Sequence, residues 1–364
     1  MPFDASPLLR PELHELRAYA PGPAAGIEIR LDANEAPPVD SPRLRELVSE
    51  AVASVPLERY PDARALALKE KIALRTGARI EDLLVGSGSD EIIALLATAL
   101  ARPRGKGAPQ ASFLAPTPSF VMYRVTARAH GVRPVEVPLD AAWDLDAGMM
   151  KKAIDAFSPN VVFIATPNNP TGNRMSDDRL ADVCEHAKDA LVVLDEAYVD
   201  YAGASLRSFR ARFPNVAIMR TLSKVGLAAL RVGWLEADAG LVAEMDKARQ
   251  PFNVSATSQA IAAAVLGTAW EEIGAHVAKV VVERARLSSR IAALGDFEVT
   301  PSAANFVWVK TPRPAEETFR ALLEAKILVR SFHASGGRLA RQIRITIGTP
   351  AENDRLVEAL SACA

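Results

Sequence analysis

The sequence predicts an α/β fold: a large domain with a mixed, mostly parallel sheet between helices, plus a smaller α+β domain. Three observations lead there. From about Asp62 to Phe252, helical stretches alternate with short apolar runs, the pattern of βαβ units. Three of those runs are rich in β-branched residues and stop abruptly at polar or turn-forming residues. Val161–Ala165 runs into Thr166-Pro167-Asn168-Asn169-Pro170-Thr171-Gly172, Leu191–Leu194 into Asp195-Glu196-Ala197-Tyr198, and Val216–Met219 into Arg220-Thr221-Leu222-Ser223-Lys224. Strands buried on both faces of a parallel sheet read this way. After Phe252 the alternation ends, which marks the second domain.

The elements follow in order. The first forty residues are rich in proline and glycine and lack periodicity, as in an arm that packs on something else. Ser41 to Val55 reads as a helix, with Ser41 as cap, Pro42 in the first turn, and apolar residues at Leu44, Leu47, Val48, Ala51 and Val52. Leu83–Val85 is a strand that enters Gly86-Ser87-Gly88 and a helix opening near Asp90. Arg102 to Gln110 is an exposed loop, and Phe113–Ala115 is the next strand. In the tail, one long helical stretch (Ser255 to Leu294) precedes strands at Phe306–Val309, Ile327–Val329 and Ile343–Ile347 and a closing helix from Ala351 to Leu360. The expected division is 1–45 (arm and part of the small domain), 46–252 (large domain) and 253–364 (small domain).

Composition narrows the function. The 364 residues are 49% hydrophobic and 24% charged, as in a soluble globular enzyme. A formal net charge of -1 gives no global electrostatic case for nucleic acid or an anionic membrane. No apolar run reaches the roughly 20 residues that span a bilayer, and Met1-Pro2-Phe3-Asp4 does not begin a signal peptide. Cys184 and Cys363 lie far apart, so a reducing cytoplasm is the expected setting. The five histidines have no ligand-type spacing, and no metal is expected.

In open α/β sheets, ligands bind beyond the carboxyl ends of the strands, so Asn169, Asp195 and Lys224 should converge. An amide, a carboxylate and a primary amine together suit pyridoxal phosphate, whose aldehyde condenses with a lysine and whose ring nitrogen takes an acid partner. Asp195 would stabilise the protonated ring by opposite charge. Ser223 and Arg231 form a reasonable phosphate site. The helix N-terminus at Ser89-Asp90-Glu91 offers backbone N–H groups to the same phosphate, provided only the backbones of Asp90 and Glu91 face it. That glycine loop matches neither a Walker A loop nor a dinucleotide fingerprint. Phe120 and Tyr123, just past a strand end, are placed for one to stack on a planar ring. Near the C-terminus Arg344 sits between Ile343 and Ile345 on the opposite strand face, where a guanidinium fork grips a carboxylate or phosphate; Arg330 is a second candidate. Alone, each residue also has a plain structural reading as a cap, a turn, a core aromatic or a solvated charge.

Taken in order, Gly86-Ser87-Gly88-Ser89-Asp90-Glu91, Asn168-Asn169-Pro170-Thr171-Gly172, Asp195-Glu196-Ala197-Tyr198 and Thr221-Leu222-Ser223-Lys224 resemble the motifs of fold-type I pyridoxal-phosphate enzymes, the aspartate aminotransferase superfamily. The resemblance runs from Leu31 to Leu360. Leu31-Asp32-Ala33-Asn34-Glu35, Arg59-Tyr60-Pro61-Asp62, the Ser223–Arg231 segment, Pro251-Phe252-Asn253-Val254 and the Arg344–Pro350 segment are similar to the histidinol-phosphate aminotransferase family. The resemblance implies a transaminase of histidine biosynthesis that exchanges L-histidinol phosphate and 2-oxoglutarate for imidazole acetol phosphate and L-glutamate. It implies that Lys224 bonds to the cofactor and moves protons, Asp195 meets the ring nitrogen, and Tyr198 and Asn169 bind O3′. Ser89, Asp90, Glu91, Ser223 and Arg231 would hold the phosphate, and Phe120 would stack on the ring. Tyr60 would reach the cofactor phosphate of a second subunit, giving a homodimer. Tyr19, Asn34, Arg344 and Arg330 would line the substrate side.

The chain departs from the family at four places. Asn34-Glu35-Ala36-Pro37 replaces the usual Asn-Glu-Asn-Pro, Phe120 stands where tyrosine is common, and Ala229 replaces a glycine. The Ser335-Gly336-Gly337-Arg338 loop matches poorly and receives no role. An aromatic amino-acid aminotransferase and a threonine-phosphate decarboxylase-like lyase share these motifs and remain alternatives.

Overall fold

A computed structural model describes residues 3–14, 16, 18, 25–105 and 107–363. The strands are β1 (Ile29–Leu31), β2 (Leu83–Ser87), β3 (Ser112–Thr117), β4 (Arg133–Pro138), β5 (Val161–Ala165), β6 (Leu191–Asp195), β7 (Val216–Thr221), β8 (Val232–Glu236), β9 (Glu298–Thr300), β10 (Phe306–Lys310), β11 (Ile327–Ser331) and β12 (Gln342–Thr346). They form a seven-stranded sheet, β2-β8-β7-β6-β5-β3-β4, and a five-stranded sheet, β1-β11-β12-β10-β9. In the larger sheet only the pairings of β8, with β2 and with β7, are antiparallel.

The larger sheet is covered on both faces because its strands carry apolar side chains on both. Successive residues point to opposite faces. Val162, Ile164, Val192, Leu194 and Ile218 pack on one side against Met150, Ile154, Leu180 and Val183. Val161, Phe163, Val193, Ala217 and Met219 pack on the other side against Ile92, Ile93 and Leu96. The register sets Ala165 beside Asp195 and Asp195 beside Met219. The segments after β5, β6 and β7 therefore leave the sheet at one level, which is how Asn169, Asp195 and Lys224 come to share an edge.

The smaller sheet joins the two ends of the chain. β1 pairs in parallel with β11, Ile29 opposite Ile327, and its other pairings are antiparallel. Val307, Val309, Ile343 and Ile345 form its inner face with Leu322, Leu356 and Leu360. The helix Pro42–Ala53 starts at Ser41, whose Oγ accepts from the Leu44 N–H at 3.1 Å. The closing helix, Pro350–Ser361, begins with a capping box between Thr349 and Glu352.

The expected single helix from Ser255 to Leu294 is two, Ala256–Thr268 and Trp270–Ala292. The break falls on Ala269, fully buried and non-helical, after Gly267 and Thr268, both weak helix formers. The turn delivers Trp270 to the Arg75 guanidinium, 4.5 Å from the ring centroid. Among the described residues no helix is long and apolar enough to cross a membrane.

Candidate active site

Asp195 ends β6 and is 4% exposed. Its Oδ1 accepts the Ala197 N–H at 3.0 Å and its Oδ2 accepts the Tyr123 hydroxyl at 2.5 Å. Burial pushes its carboxyl up to about 6, against the pull of these two hydrogen bonds. Tyr123 lies parallel to Phe163, with ring centroids 4.6 Å apart, and edge-on to Phe120 at 5.6 Å.

The two asparagines after β5 divide their work. Asn168 is buried and holds the turn: its Oδ1 accepts from Ser119 Oγ, and its Nδ2 donates to the Pro118 carbonyl and Thr171 Oγ1. Asn169 faces the crevice, where its Oδ1 accepts from Arg344 Nη1 at 2.6 Å. Lys224 is half-buried beyond β7, with Nζ 5.9 Å from the centroid of the Tyr198 ring. The Tyr201 hydroxyl fixes this loop by donating to the Lys224 carbonyl at 2.6 Å.

Around Gly88 the backbone forms a tight cradle. Gly88 has φ +80°, and a Cβ there would lie 2.6 Å from Arg231 Nη2. A Cβ on Gly233 of β8 would meet the Ser89 nitrogen at 2.6 Å. The two glycines thus let the N-terminus of the helix Ser89–Ala99, β8 and the Arg231 side chain close on one point. Arg231 Nη1 donates to Ser223 Oγ at 3.3 Å, and Nη2 donates to Asp90 Oδ2 at 3.3 Å. Ser89, Asp90, Ser223 and Arg231 line one cavity with Phe120, Asn169, Asp195, Tyr198 and Lys224.

Glu91 was expected in that set, and the structure corrects this. Two positions round the helix from Ser89, about 200° at 3.6 residues per turn, its carboxylate turns into the glycine loop. It accepts the Ser87 N–H at 2.5 Å and Asn253 Nδ2 at 2.7 Å and does not line the cavity. Tyr60 is 81% exposed, stacked on Phe252 at 4.7 Å, and lines neither cavity of its own chain. Tyr19 lies outside the described residues.

A second cavity of about 500 Å³ opens from the first and shares Phe120, Asn169, Tyr198 and Lys224 with it. Arg344 and Arg330 line it as cross-strand neighbours, Arg344 buried and Arg330 exposed. The Arg344 guanidinium is aimed by Asn169 and by the Asp32 carbonyl, to which Nη2 donates. Asn34 also lines this cavity, but its amide serves a neighbour: Nδ2 donates to the Tyr198 hydroxyl at 2.8 Å. Its left-handed backbone (φ 56°) is held by the Thr346 hydroxyl, which accepts the Asn34 N–H, and by Asn305 Nδ2, which donates to the Asn34 carbonyl. Replacing Asn34 by glycine keeps that backbone and removes the donor. Asn34→Gly is expected to slow turnover about tenfold, the order of one lost buried hydrogen bond, with the melting temperature measured alongside kcat. Unchanged kcat would mean that Tyr198 needs no support from Asn34.

Sequence reasoning missed two residues. The hydroxyl of Tyr123 carries no signal in a run read only for aromatic stacking. Arg338, in the loop given no role, donates through Nη1 to the carbonyls of Leu139 (2.9 Å) and Asp140 (2.8 Å) and lies 3.6 Å from the Trp143 ring centroid. It ties the cavity wall at Phe332, Ala334 and Ser335 to the larger sheet's edge. Its partners become adjacent only in the fold.

The residues present fit pyridoxal phosphate. Hydroxyl, guanidinium and helix N–H groups gather round the glycine cradle, where the Asp90 side chain, expected to turn away, pairs with Arg231; a buried carboxylate is available for a ring nitrogen, and a primary amine is available for an aldehyde. Residues 27–360 match the family model described as aminotransferase class I and II. The chain is 38% identical to histidinol-phosphate aminotransferase 1 of Burkholderia lata over 355 residues, 97% of each chain. It is 39% identical to the histidinol-phosphate aminotransferase of Chromobacterium violaceum over 364 residues, 99% of each. Among solved structures, histidinol-phosphate aminotransferase from Sinorhizobium meliloti in complex with pyridoxal-5′-phosphate is similar with a TM-score of 0.84 and 26% identity, covering 98% of this chain and 97% of that one.

Proposed function

For a chain that belongs to the class I and II aminotransferases, we propose the reversible transfer of an amino group from L-histidinol phosphate to 2-oxoglutarate, giving imidazole acetol phosphate and L-glutamate, as a step of histidine biosynthesis. One observation carries this reading: two contiguous cavities meet at Lys224, one with an anion cradle and a buried acid, the other lined by Arg344 and Arg330. Its support is the similarity to relatives bearing that enzyme's name.

Pyridoxal phosphate supplies an electron sink for the carbon that loses a proton. Ser223, Arg231 and the N–H groups of Ser89 and Asp90 would hold its phosphate. Asp195, as an anion, would keep a proton on the ring nitrogen, and Phe120 would cover a ring face. Tyr198, accepting from Asn34, would donate its own hydrogen to O3′. Asn169, whose Oδ1 is taken by Arg344, would offer Nδ2 to the same oxygen. Lys224 Nζ would take the proton from the substrate Cα as base and, once protonated, serve as the acid that gives it back. Arg344 grips the phosphate of histidinol phosphate in one half-reaction and a carboxylate of glutamate in the other.

Residues 46–252 would hold the cofactor, and Asn34, Arg330 and Arg344 from 1–45 and 253–364 would join them on the substrate side. The exposed Tyr60 reaches the cofactor phosphate of a second copy, so the active unit is a cytoplasmic homodimer acting on small molecules. The test is a single half-reaction. Mixed with histidinol phosphate, the pyridoxal-phosphate-loaded protein should convert to the pyridoxamine spectrum faster than with phenylalanine. Conversion by phenylalanine alone would make it an aromatic aminotransferase. Carbon dioxide release from threonine phosphate would make it a lyase.

A further inference from the structure

The mechanism above gives Tyr123 no part, although its side chain is buried among Phe113, Phe163 and Phe120 with its hydroxyl 2.5 Å from Asp195 Oδ2. A phenylalanine would pack as well among these rings. A hydroxyl in such surroundings is costly unless it is hydrogen-bonded, so its contact with Asp195 is the feature to explain. The stack on Phe163, with 6° between planes, and the edge contact to Phe120 fix the direction of the phenol. An ionised carboxylate only accepts, so Tyr123 is the donor. Burial, and then the Asp195 charge, hold the Tyr123 phenol well above its ordinary range, so its proton stays in place.

We propose that Tyr123 is a positioning residue that keeps Asp195 ionised and in the orientation required to face the cofactor's ring nitrogen. The proposal rests on the pyridoxal-phosphate reading. With Tyr123 on Oδ2 and the Ala197 N–H on Oδ1, each carboxylate oxygen has one fixed donor and keeps a further lone pair. The other charged group that opposes ionisation is Asp90, from the helix after β2. Lys224, from the loop after β7, favours it. Tyr198, beside Lys224, is a further neighbour of Tyr123. Burial above all drives Asp195 towards protonation, to about 6 even with both hydrogen bonds in place. Removing the phenol donor drives it higher, into the working range, and a neutral Asp195 no longer complements a protonated ring.

The experiment uses apoprotein and reads the Kd for pyridoxal phosphate from pH 5 to 9, with Asp195→Asn as reference so that the ligand's own ionisations cancel. The wild type should lose affinity relative to Asp195→Asn as pH falls through about 6, because the folded-state carboxyl is raised to that value and takes up its proton there. In Tyr123→Phe, which keeps the stacked ring, that break should move up by about one pH unit, roughly tenfold in Kd at a fixed pH below it. In the double variant Tyr123→Phe should add nothing. A uniform loss of affinity at every pH, with the break unmoved, would reduce Tyr123 to packing and overturn the proposal. A wild-type profile parallel to that of Asp195→Asn overturns it even if the tyrosine variant does not fold. Apoprotein that binds no pyridoxal phosphate at any pH refutes the cofactor reading instead.

Discussion

Lys224→Ala is expected to lower transamination by about 10⁴-fold, the upper end of what a positioned acid–base group contributes, while leaving the fold and non-covalent cofactor binding intact. The fold should survive because Lys224 contributes its backbone, not its side chain, to the local structure. Its carbonyl is held by Tyr201, and its neighbours Leu222 and Val225 are buried. Cofactor binding should survive because Ser223, Arg231 and the helix N-terminus at Ser89, which line the same cavity, remain in the variant. Activity should not survive, because no other side chain where the two cavities meet is suited to replace the amine. Tyr198 is engaged by Asn34, Asn169 by Arg344, and Phe120 has no proton to give. Borohydride reduction of the loaded protein followed by peptide mass analysis should place the cofactor's mass on the peptide containing Lys224, and on none in the variant. Cofactor mass on another lysine of the variant, with turnover retained, would sink the assignment. A small amine added to the variant should restore part of the proton transfer, separating loss of the base from loss of the pocket.

The legible parts of this protein are those where neighbours in sequence are neighbours in space. The strands β5, β6 and β7 announce themselves because burial on both faces demands continuous apolar runs, and a parallel sheet aligns their ends. The Ser41 cap and the helix after it are legible for the same local reason. Asn34 is different. Its position after β1 gives no hint that β1 pairs with β11 at the far end of the chain, so the Tyr198 hydroxyl could not be foreseen as its partner. Of the three consecutive residues at the start of the helix Ser89–Ala99, only Ser89 and Asp90 line the cavity, while the Glu91 carboxylate holds the Ser87 N–H and Asn253, a partner distant in sequence. The break at Ala269 failed because weak helix formers inside a helical pattern only lower its propensity. What decides is the burial of Ala269 and the seat of Trp270 against Arg75. The Arg338 clasp and the contact of the Tyr123 hydroxyl with Asp195 are not legible, because a side chain-to-backbone clasp and a side-chain hydrogen bond leave no periodic trace.

Arg344→Ala is expected to weaken both half-reactions, each by about 10²- to 10³-fold in kcat/KM, within the 2–5 kcal/mol cost of truncating one partner of a buried, hydrogen-bonded charge. The reasoning starts from β12, all five of whose residues are buried. Ile343 and Ile345 face the apolar core of the smaller sheet, so alternation sends Arg344 to the opposite face and into the larger cavity. There Nη1 donates to Asn169 Oδ1 and Nη2 to the Asp32 carbonyl, while the guanidinium carbon stands 5.5 Å from the Phe306 ring centroid. Truncation therefore does two things at once. It removes the cation that would meet the substrate's anionic group, and it leaves Asn169 Oδ1 without its donor, freeing the amide to turn away from the cofactor side. The second effect is common to every substrate, which is why both half-reactions should suffer. Arg344→Lys separates the two. A single ammonium keeps the charge but lacks the planar fork needed to hold Asn169 and Asp32 and still present a face to an oxyanion, so its loss should lie between wild type and Arg344→Ala. Arg330, its exposed cross-strand neighbour, remains in both variants and would supply any residual binding. The measurement is a pair of single-turnover experiments, histidinol phosphate with the pyridoxal form and 2-oxoglutarate with the pyridoxamine form. If Arg344→Ala slowed one and spared the other, a shared anion site would be wrong, and Arg330 would be the first residue to test for the substrate that was spared.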